Sequence, residues 1–190
     1  MSADPTLLVD AHLAGPIGRS TLLVASGELG VREQPDNSNR GPRVDQYLAG
    51  IDGTEPELLC GLRYAGERCA LCGNKPRPTP ACRGSRWCCR FIVWCVTKAA
   101  RNIGQPLPIA DWGGLASTLK WRDQAKARRC WVETPAPGRV GLIVSPSGHG
   151  VLIARVDGDS VITIEGNAGN QVGSHRRYIS QFDGGFVELG

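Results

Sequence analysis

Apolar residues recur at helical spacing in the first two thirds of the chain and in short β-branched runs in the last third. The clearest helical pattern covers 87–103 and is predicted to end at Gly104, because glycine favours helix termination. One face of this helix carries Cys88, Phe91, Ile92, Cys95 and Ala99. Weaker helical patterns cover 20–29, 42–50 and part of 112–129.

The pattern changes after Gly138, where β-branched runs are separated by turn residues. Strands are predicted over 139–145, 149–156, 160–166, 177–179 and 185–189. Asp157-Gly158 predicts a two-residue hairpin turn, in which Val156 pairs with Asp159. Helices followed by an antiparallel sheet are the α+β layout, which is the fold class that we expect.

Length and composition indicate one domain over 1–190, since 190 residues suit a single core. Residues 58–86 read as an insert within it, because they are rich in cysteine, proline and basic residues and poor in apolar ones. The net charge of +4 is mild. The sequence has no basic run with interleaved aromatic residues, so we expect no nucleic-acid partner. No apolar run approaches the roughly 20 residues that span a bilayer, so no membrane partner is expected.

The N-terminal stretch carries Asp4 and Asp10 and has no basic segment, which argues against a signal peptide. We therefore expect the protein to be made in the cytoplasm. An activity outside the cell would then need another route of delivery.

Cys88 is the candidate nucleophile, because it lies at the predicted start of the 87–103 helix. A catalytic cysteine attacks as its thiolate. The start of a helix stabilises an anion through its partial positive charge and its unpaired N–H groups, which can also hold an oxyanion. A buried core cysteine is the alternative interpretation of this position.

His149 is the candidate base, and Glu165 and Asn167 are the candidates to orient it. The predicted turn puts His149 opposite Gly166 in the ladder. Glu165 and Asn167 then flank that position on one strand face. A base held by a third group is the arrangement that activates a nucleophile, so we expect catalysis to need no cofactor. Both residues would also suit a simple turn in "EGNAGN".

Three stretches resemble the CHAP family, the cysteine, histidine-dependent amidohydrolase/peptidases: "WCCRFIVWC", "PGRVGLIVSPSGHGVLIARV" and "ITIEGNAG". The resemblance covers roughly 20–57 and 87–189. It implies a papain-like, NlpC-type fold that cuts an amide bond in bacterial peptidoglycan, as phage endolysins do. It assigns the nucleophile to Cys88, the base to His149 and the orienting role to Asn167, shared with Glu165.

The chain departs from the family at two places. Arg139 stands where many members have aspartate, and "TPACRGSR" replaces the acidic loop of calcium-binding members, so no calcium is expected. The resemblance implies a monomer that acts on the cell wall during phage lysis or from a phage particle. A thiol protease or toxin amidase on the same fold, and a zinc-stapled, non-catalytic module of a phage particle, are the alternatives.

The insert holds four cysteines that we predict to bind one structural zinc ion: Cys60, Cys69, Cys72 and Cys82. The Cys-x2-Cys spacing at 69–72 fits a zinc knuckle. Two disulfides are the alternative, but a chain without a signal peptide matures in a reducing compartment. The remaining cysteines are predicted to pack in the core or at a helix end (Cys89, Cys95 and Cys130), and two histidines are predicted at the surface (His12 and His175).

Overall fold

The structure is a computed structural model that describes residues 10–48, 86–110, 117–146 and 148–190. Helices and an antiparallel sheet give these residues an α+β fold, as the sequence predicts. The α-helices within the described ranges are α1 (Pro16–Ser26), α2 (Val44–Leu48), α3 (Cys88–Asn102) and α4 (Thr118–Ala127). Short 3-10 helices cover Ala11–Leu13 and Ile179–Gln181.

The described residues form a sheet of six strands in the order β1-β6-β2-β3-β4-β5, and every neighbouring pair is antiparallel. The strands are β1 (Trp131–Val132), β2 (Val140–Ile143), β3 (His149–Asp157), β4 (Ser160–Glu165), β5 (Gly173–Tyr178) and β6 (Phe186–Val187). The longest strand, β3, therefore lies in the middle of the sheet. His149 is its first residue, and it pairs with Ile143 of β2.

The two faces of β3 pack against different apolar clusters. Leu152 and Ala154 belong to the larger cluster, which also contains buried residues of α1, α2 and α3. Val151 and Ile153 belong to a smaller cluster with Phe182 and Phe186 on the opposite face. Since both faces are buried, β3 reads as a nearly continuous apolar run. His149 is therefore the first residue of a strand that is covered on both faces.

Helix α3 packs closely on β3 because the second residue of that strand is glycine. A Cβ on Gly150 would lie 3.0 Å from Ile92 Cδ1 and 3.1 Å from Cys89 Sγ. Such contacts are tighter than an ordinary van der Waals approach. Gly150 therefore lets the first turn of α3 lie directly beside the start of β3.

Two predicted elements differ from the structure by more than two residues at one end or both, and one strand was not predicted. Helix α1 begins at Pro16 rather than at 20, because proline suits the first turn of a helix, where its missing N–H costs nothing. Strand β5 covers Gly173–Tyr178 rather than 177–179 and carries mainly polar residues. Strand β1 lacks a sequence signal of its own and pairs with β6.

The hairpin between β3 and β4 has a different register from the predicted one. Val156 pairs with Val161, and not with Asp159, so the turn consists of Gly158 and Asp159. Gly158 has φ of 61°, and a glycine at the first central position is the requirement of one of the two common hairpin turns. A bulge between Ile153 and Arg155 then shifts the ladder again.

One prediction falls on residues that the structure does not describe. The insert over 58–86 lies outside the described residues apart from Arg86, and so do its four cysteines. The helix predicted within 112–129 is α4, which begins at Thr118 after its N-cap residue Ser117. No helix in the described part of the chain has the length and apolar character needed to cross a membrane.

Candidate active site

Cys88 is the first residue of α3, and buried side chains hold the residue before it. Trp87 is fully buried, and its Nε1 donates to Glu33 Oε1 at 2.9 Å. Glu33 Oε2 also accepts the main-chain N–H of Asn39 at 2.9 Å. The helix begins because the N–H of Phe91 donates to the Trp87 carbonyl at 2.8 Å. The N–H groups of the first turn have no acceptor within the helix, and they give this end a partial positive charge.

His149 and Glu165 are brought together as the sequence predicts. His149 Nε2 lies 2.8 Å from Glu165 Oε2. The carboxylate is fully buried, whereas the imidazole is 17% exposed. Because Glu165 engages Nε2, the other ring nitrogen, Nδ1, is available to a substrate or to Cys88.

Glu165 also has two partners that sequence analysis missed. Arg177 of β5 donates to both carboxylate oxygens, from Nε to Oε1 at 2.8 Å and from Nη2 to Oε2 at 2.6 Å. Thr163 Oγ1 donates to Oε1 at 2.6 Å. Burial alone would raise the pKa of Glu165, but the hydrogen bonds from Arg177, His149 and Thr163 lower it to about 2. The carboxylate is therefore ionised at neutral pH.

The pKa values of Cys88 and His149 move in opposite directions. A hydrogen-bonding interaction with the Cys89 thiol is the largest cause that lowers the pKa of Cys88 well below the ordinary thiol value, and His149 adds to it against the effect of burial. Burial would lower the pKa of His149, but its interactions with Cys88 and Glu165 raise it to about 9. These opposite directions favour a thiolate–imidazolium pair.

Asn167 lines both clefts together with His149, but its hydrogen bonds go to other residues. In the amide orientation that satisfies its neighbours, its nitrogen donates to Glu33 Oε1 and its oxygen accepts the N–H of Trp87, both at 3.2 Å. In the opposite orientation the nitrogen donates to Asn39 Oδ1 at 3.1 Å. The hydrogen bonds of Asn167 therefore reach Trp87, the residue that precedes Cys88, and the role of Asn167 in orienting the imidazole stays a prediction.

Two clefts meet at His149. One, of about 310 Å³, is lined by polar side chains that include Cys88, His149 and four asparagines: Asn37, Asn39, Asn167 and Asn170. The other, of about 470 Å³, has mixed walls: one part is apolar (Ile143, Pro146 and Ala168) and the rest is polar and includes Arg177 and Gln181. Since His149 and Asn167 line both, the imidazole lies where a substrate could pass from one cleft to the other.

The other cysteines and histidines of the described residues lie outside these clefts. Cys89 and Cys95 are buried in α3, as expected, and Cys130 is half-buried just after α4. His12 is exposed, as predicted. His175 is half-buried and not at the surface. It lies in the part of β5 that the sequence did not predict as strand.

No group of three or more potential metal ligands occurs among the described residues. The predicted zinc ligands lie outside them, so zinc binding stays a prediction. Acyl transfer needs a nucleophile, a base and an orienting group, and Cys88, His149 and Glu165 are residue types that can supply these three roles.

No protein-family model, curated protein sequence or solved structure matches the chain. We therefore infer its function from the chemistry that Cys88, His149 and Glu165 can perform together. The polar side chains that line the cleft around Cys88 favour a substrate with many hydrogen-bonding groups.

Proposed function

We propose that the protein is a papain-like thiol hydrolase of the CHAP type that cleaves an amide bond in bacterial peptidoglycan. The observation that carries the proposal is the 2.8 Å contact between His149 and the buried Glu165, beside a cleft that Cys88 lines at the start of a helix. A buried core cysteine would need none of these neighbours. A base with an ionised orienting group is what a nucleophilic thiol needs.

In the first half of the reaction, the Cys88 thiolate attacks the carbonyl carbon of the scissile amide. The oxyanion that forms faces the unpaired N–H groups of the first turn of α3. His149 then gives its proton to the amide nitrogen, the C–N bond breaks, and the amine leaves. The acyl group remains on Cys88 as a thioester.

In the second half, His149 is neutral and accepts a proton from water. The hydroxide attacks the thioester carbon, the C–S bond breaks, and the carboxylic acid leaves. The proton stays on His149, and Cys88 returns to its thiolate. Glu165 keeps the imidazole oriented in both halves, while Arg177 keeps Glu165 ionised.

The proposed substrate is consistent with the walls of the two clefts. Amide and hydroxyl groups dominate peptidoglycan, and the cleft around Cys88 presents the carboxamides of four asparagines. Such carboxamides can both donate and accept hydrogen bonds. The apolar walls of the second cleft suit short aliphatic side chains such as that of alanine. The protein would act as a monomer at the cell wall.

The test is digestion of purified peptidoglycan by the full-length protein, followed by release of soluble fragments and of new amino groups. We expect the wild-type chain to release both, and Cys88→Ala and His149→Ala to release neither. Cys130→Ala is the matched control, because this half-buried thiol lies outside both clefts. It should keep wild-type activity.

A protein substrate run in parallel separates the proposal from its nearest alternative. Rapid cleavage of casein without digestion of peptidoglycan would indicate a thiol protease. Absence of both activities, together with a Cys88 thiol that reacts no faster than Cys130, would indicate a non-catalytic module. Full activity of a folded Cys88→Ala variant would rule out the thiol mechanism.

A further inference from the structure

Glu33 is a buried glutamate that the mechanism above does not use. It lies between α1 and α2 and is 4% exposed. Its Oε1 accepts a hydrogen bond from Trp87 Nε1, and its Oε2 accepts one from the main-chain N–H of Asn39, both at 2.9 Å. In the amide orientation that satisfies its neighbours, Asn167 also donates to Oε1, at 3.2 Å. One carboxyl group therefore joins three parts of the chain that are far apart in sequence.

Each part that Glu33 joins borders the cleft at the nucleophile. Trp87 directly precedes the nucleophile, and Asn39 and Asn167 line the cleft. The main-chain N–H of Glu33 adds a further link, because it donates to the carbonyl of Asn170 at 2.9 Å, and Asn170 lines the cleft as well. The contacts of Glu33 thus reach the start of the nucleophile helix and both loops that carry the asparagines.

The backbone of these two loops has an uncommon conformation that needs support. The asparagines that line this cleft in the described part of the chain all have left-handed φ values, between 52° and 62°: Asn37, Asn39, Asn167 and Asn170. Few residues other than glycine adopt this conformation, and it persists only where surrounding contacts fix it. Glu33 binds Asn39 and Asn167 through its carboxyl group and Asn170 through its main chain. It therefore holds most of the asparagine wall that a substrate would meet.

The choice of a glutamate at this buried position is costly unless its contacts serve the site. Burial of a carboxyl group costs free energy unless hydrogen bonds compensate for it, and apolar side chains fill a core at lower cost. The three donors to the Glu33 carboxyl group are neutral, so none of them forms an ion pair with it. What these contacts supply is a fixed geometry around the cleft.

We propose that Glu33 is a positioning residue of the proposed thiol mechanism: its carboxyl group fixes the start of the nucleophile helix relative to the two loops that bind the substrate. The inference rests on the proposed roles of Cys88 and of its cleft. Glu33 itself makes no contact with the reacting atoms in this role. Its loss should therefore reduce both the reactivity of Cys88 and the binding of substrate in a protein that stays folded.

The test compares Glu33→Gln with the wild type in the full-length chain, at a temperature at which both are folded by circular dichroism. Glutamine keeps the shape of the side chain, but its NH2 group faces a donor, so at least one hydrogen bond is lost. Alkylation of Cys88 by iodoacetamide at pH 7 is followed by mass spectrometry, and fragmentation of the tryptic peptide 87–90 separates it from Cys89. We expect alkylation to slow about fivefold, which corresponds to about 1 kcal/mol, the contribution of one hydrogen bond.

The second readout is KM for solubilised peptidoglycan, which reports on the loops. It should rise about fivefold in Glu33→Gln, because the loops are no longer held against the nucleophile helix. Glu33→Asp decides the test if the glutamine variant does not fold. It keeps the carboxyl group, but one methylene fewer prevents that group from reaching all three donors. It should change both readouts in the same direction.

Glu28→Gln is the matched control, because Glu28 is 6% exposed and accepts hydrogen bonds from Arg43 and Tyr47, neither of which lines the two clefts. It should lower stability and leave both readouts at wild-type values. The inference is overturned if the folded Glu33 variant keeps the wild-type alkylation rate or KM, or if Glu28→Gln changes them equally. Alkylation needs no substrate. A wild type that is alkylated rapidly but digests no peptidoglycan would refute the proposed function, and the alkylation rates alone would then decide the role of Glu33.

Discussion

Replacement of Glu165 by glutamine tests whether a single buried charge holds the base and the end of the sheet. Glutamine keeps the shape of the side chain but removes its charge. In the wild type, Glu165 is fully buried and accepts hydrogen bonds from Arg177 and Thr163 while it contacts His149. In Glu165→Gln, an NH2 group replaces one carboxylate oxygen, and this donor then faces another donor. Arg177 and His149 both lose their anionic partner.

The size of the expected loss follows from the pKa of the carboxyl. Burial would raise this pKa, but hydrogen bonds from Arg177, His149 and Thr163 lower it from 4.5 to about 2. At about 1.4 kcal/mol per tenfold change, the lowering corresponds to about 3 kcal/mol of folding free energy. Because the pKa is lower in the folded state, this stability is complete above pH 4.5 and is lost as the pH falls through about 2.

The assay is urea unfolding at pH 7 and at intervals down to pH 2. We expect Glu165→Gln to reduce the free energy of unfolding at pH 7 by about 3 kcal/mol and to flatten the fall of stability below pH 4.5. Glu188→Gln is the control, since Glu188 pairs with Arg139 at 2.6 Å but is 39% exposed. An exposed pair contributes at most about 1 kcal/mol. A loss below that value in Glu165→Gln, with an unchanged acid profile, would refute the buried charge network.

Three further predictions concern the reaction and the insert. Turnover of peptidoglycan should fall at alkaline pH with an apparent pKa of about 9, since the imidazolium that protonates the leaving amine is lost there. If the apparent pKa of this fall is instead that of an ordinary histidine, the thiolate–imidazolium pair is contradicted. Asn167→Ala should reduce kcat by at most about 30-fold, less than His149→Ala, because the two hydrogen bonds lost at Trp87 and Glu33 amount to about 2 kcal/mol; a wild-type kcat would show that this contact does not matter. Elemental analysis should find one zinc ion per chain, and the four cysteine thiols should react only after chelation. Metal-free protein that is four hydrogens lighter than the fully reduced chain would instead indicate two disulfides. The predicted ligands are Cys60, Cys69, Cys72 and Cys82.

The parts of the fold that sequence predicts well are those with local signals. Both ends of helix α3 lie within one residue of the predicted bounds, because the apolar spacing and Gly104 both indicate the helix. The existence of the β3–β4 hairpin was predictable because its strands are β-branched and turn residues separate them, but its turn lies one residue further along the chain than predicted, which changes the register. The same signals put Cys88 at the start of a helix and His149 at the start of a strand.

The parts that sequence misses depend on partners far along the chain. Strand β5 has no apolar pattern, and it forms because each of its residues from Gly173 to Tyr178 pairs with β4. Only that pairing brings Arg177 to Glu165. Glu33 is likewise separated from Trp87 by 54 positions, so no local pattern links the two. Charged residues that stabilise a site from other strands give no periodic signal.

The different fates of Glu165 and Asn167 follow from where β4 ends. Alternation along a strand predicts that both side chains face His149, but the rule holds only while the backbone stays extended. Strand β4 ends at Glu165, and Gly166 lets the chain pass so close to α3 that a Cβ there would lie 2.6 Å from Phe91 Cβ. Asn167 then has φ of 58°, in the left-handed region. The chain has turned toward Trp87 by that point, so Asn167 hydrogen-bonds to the residue that precedes α3, whereas Glu165 contacts His149.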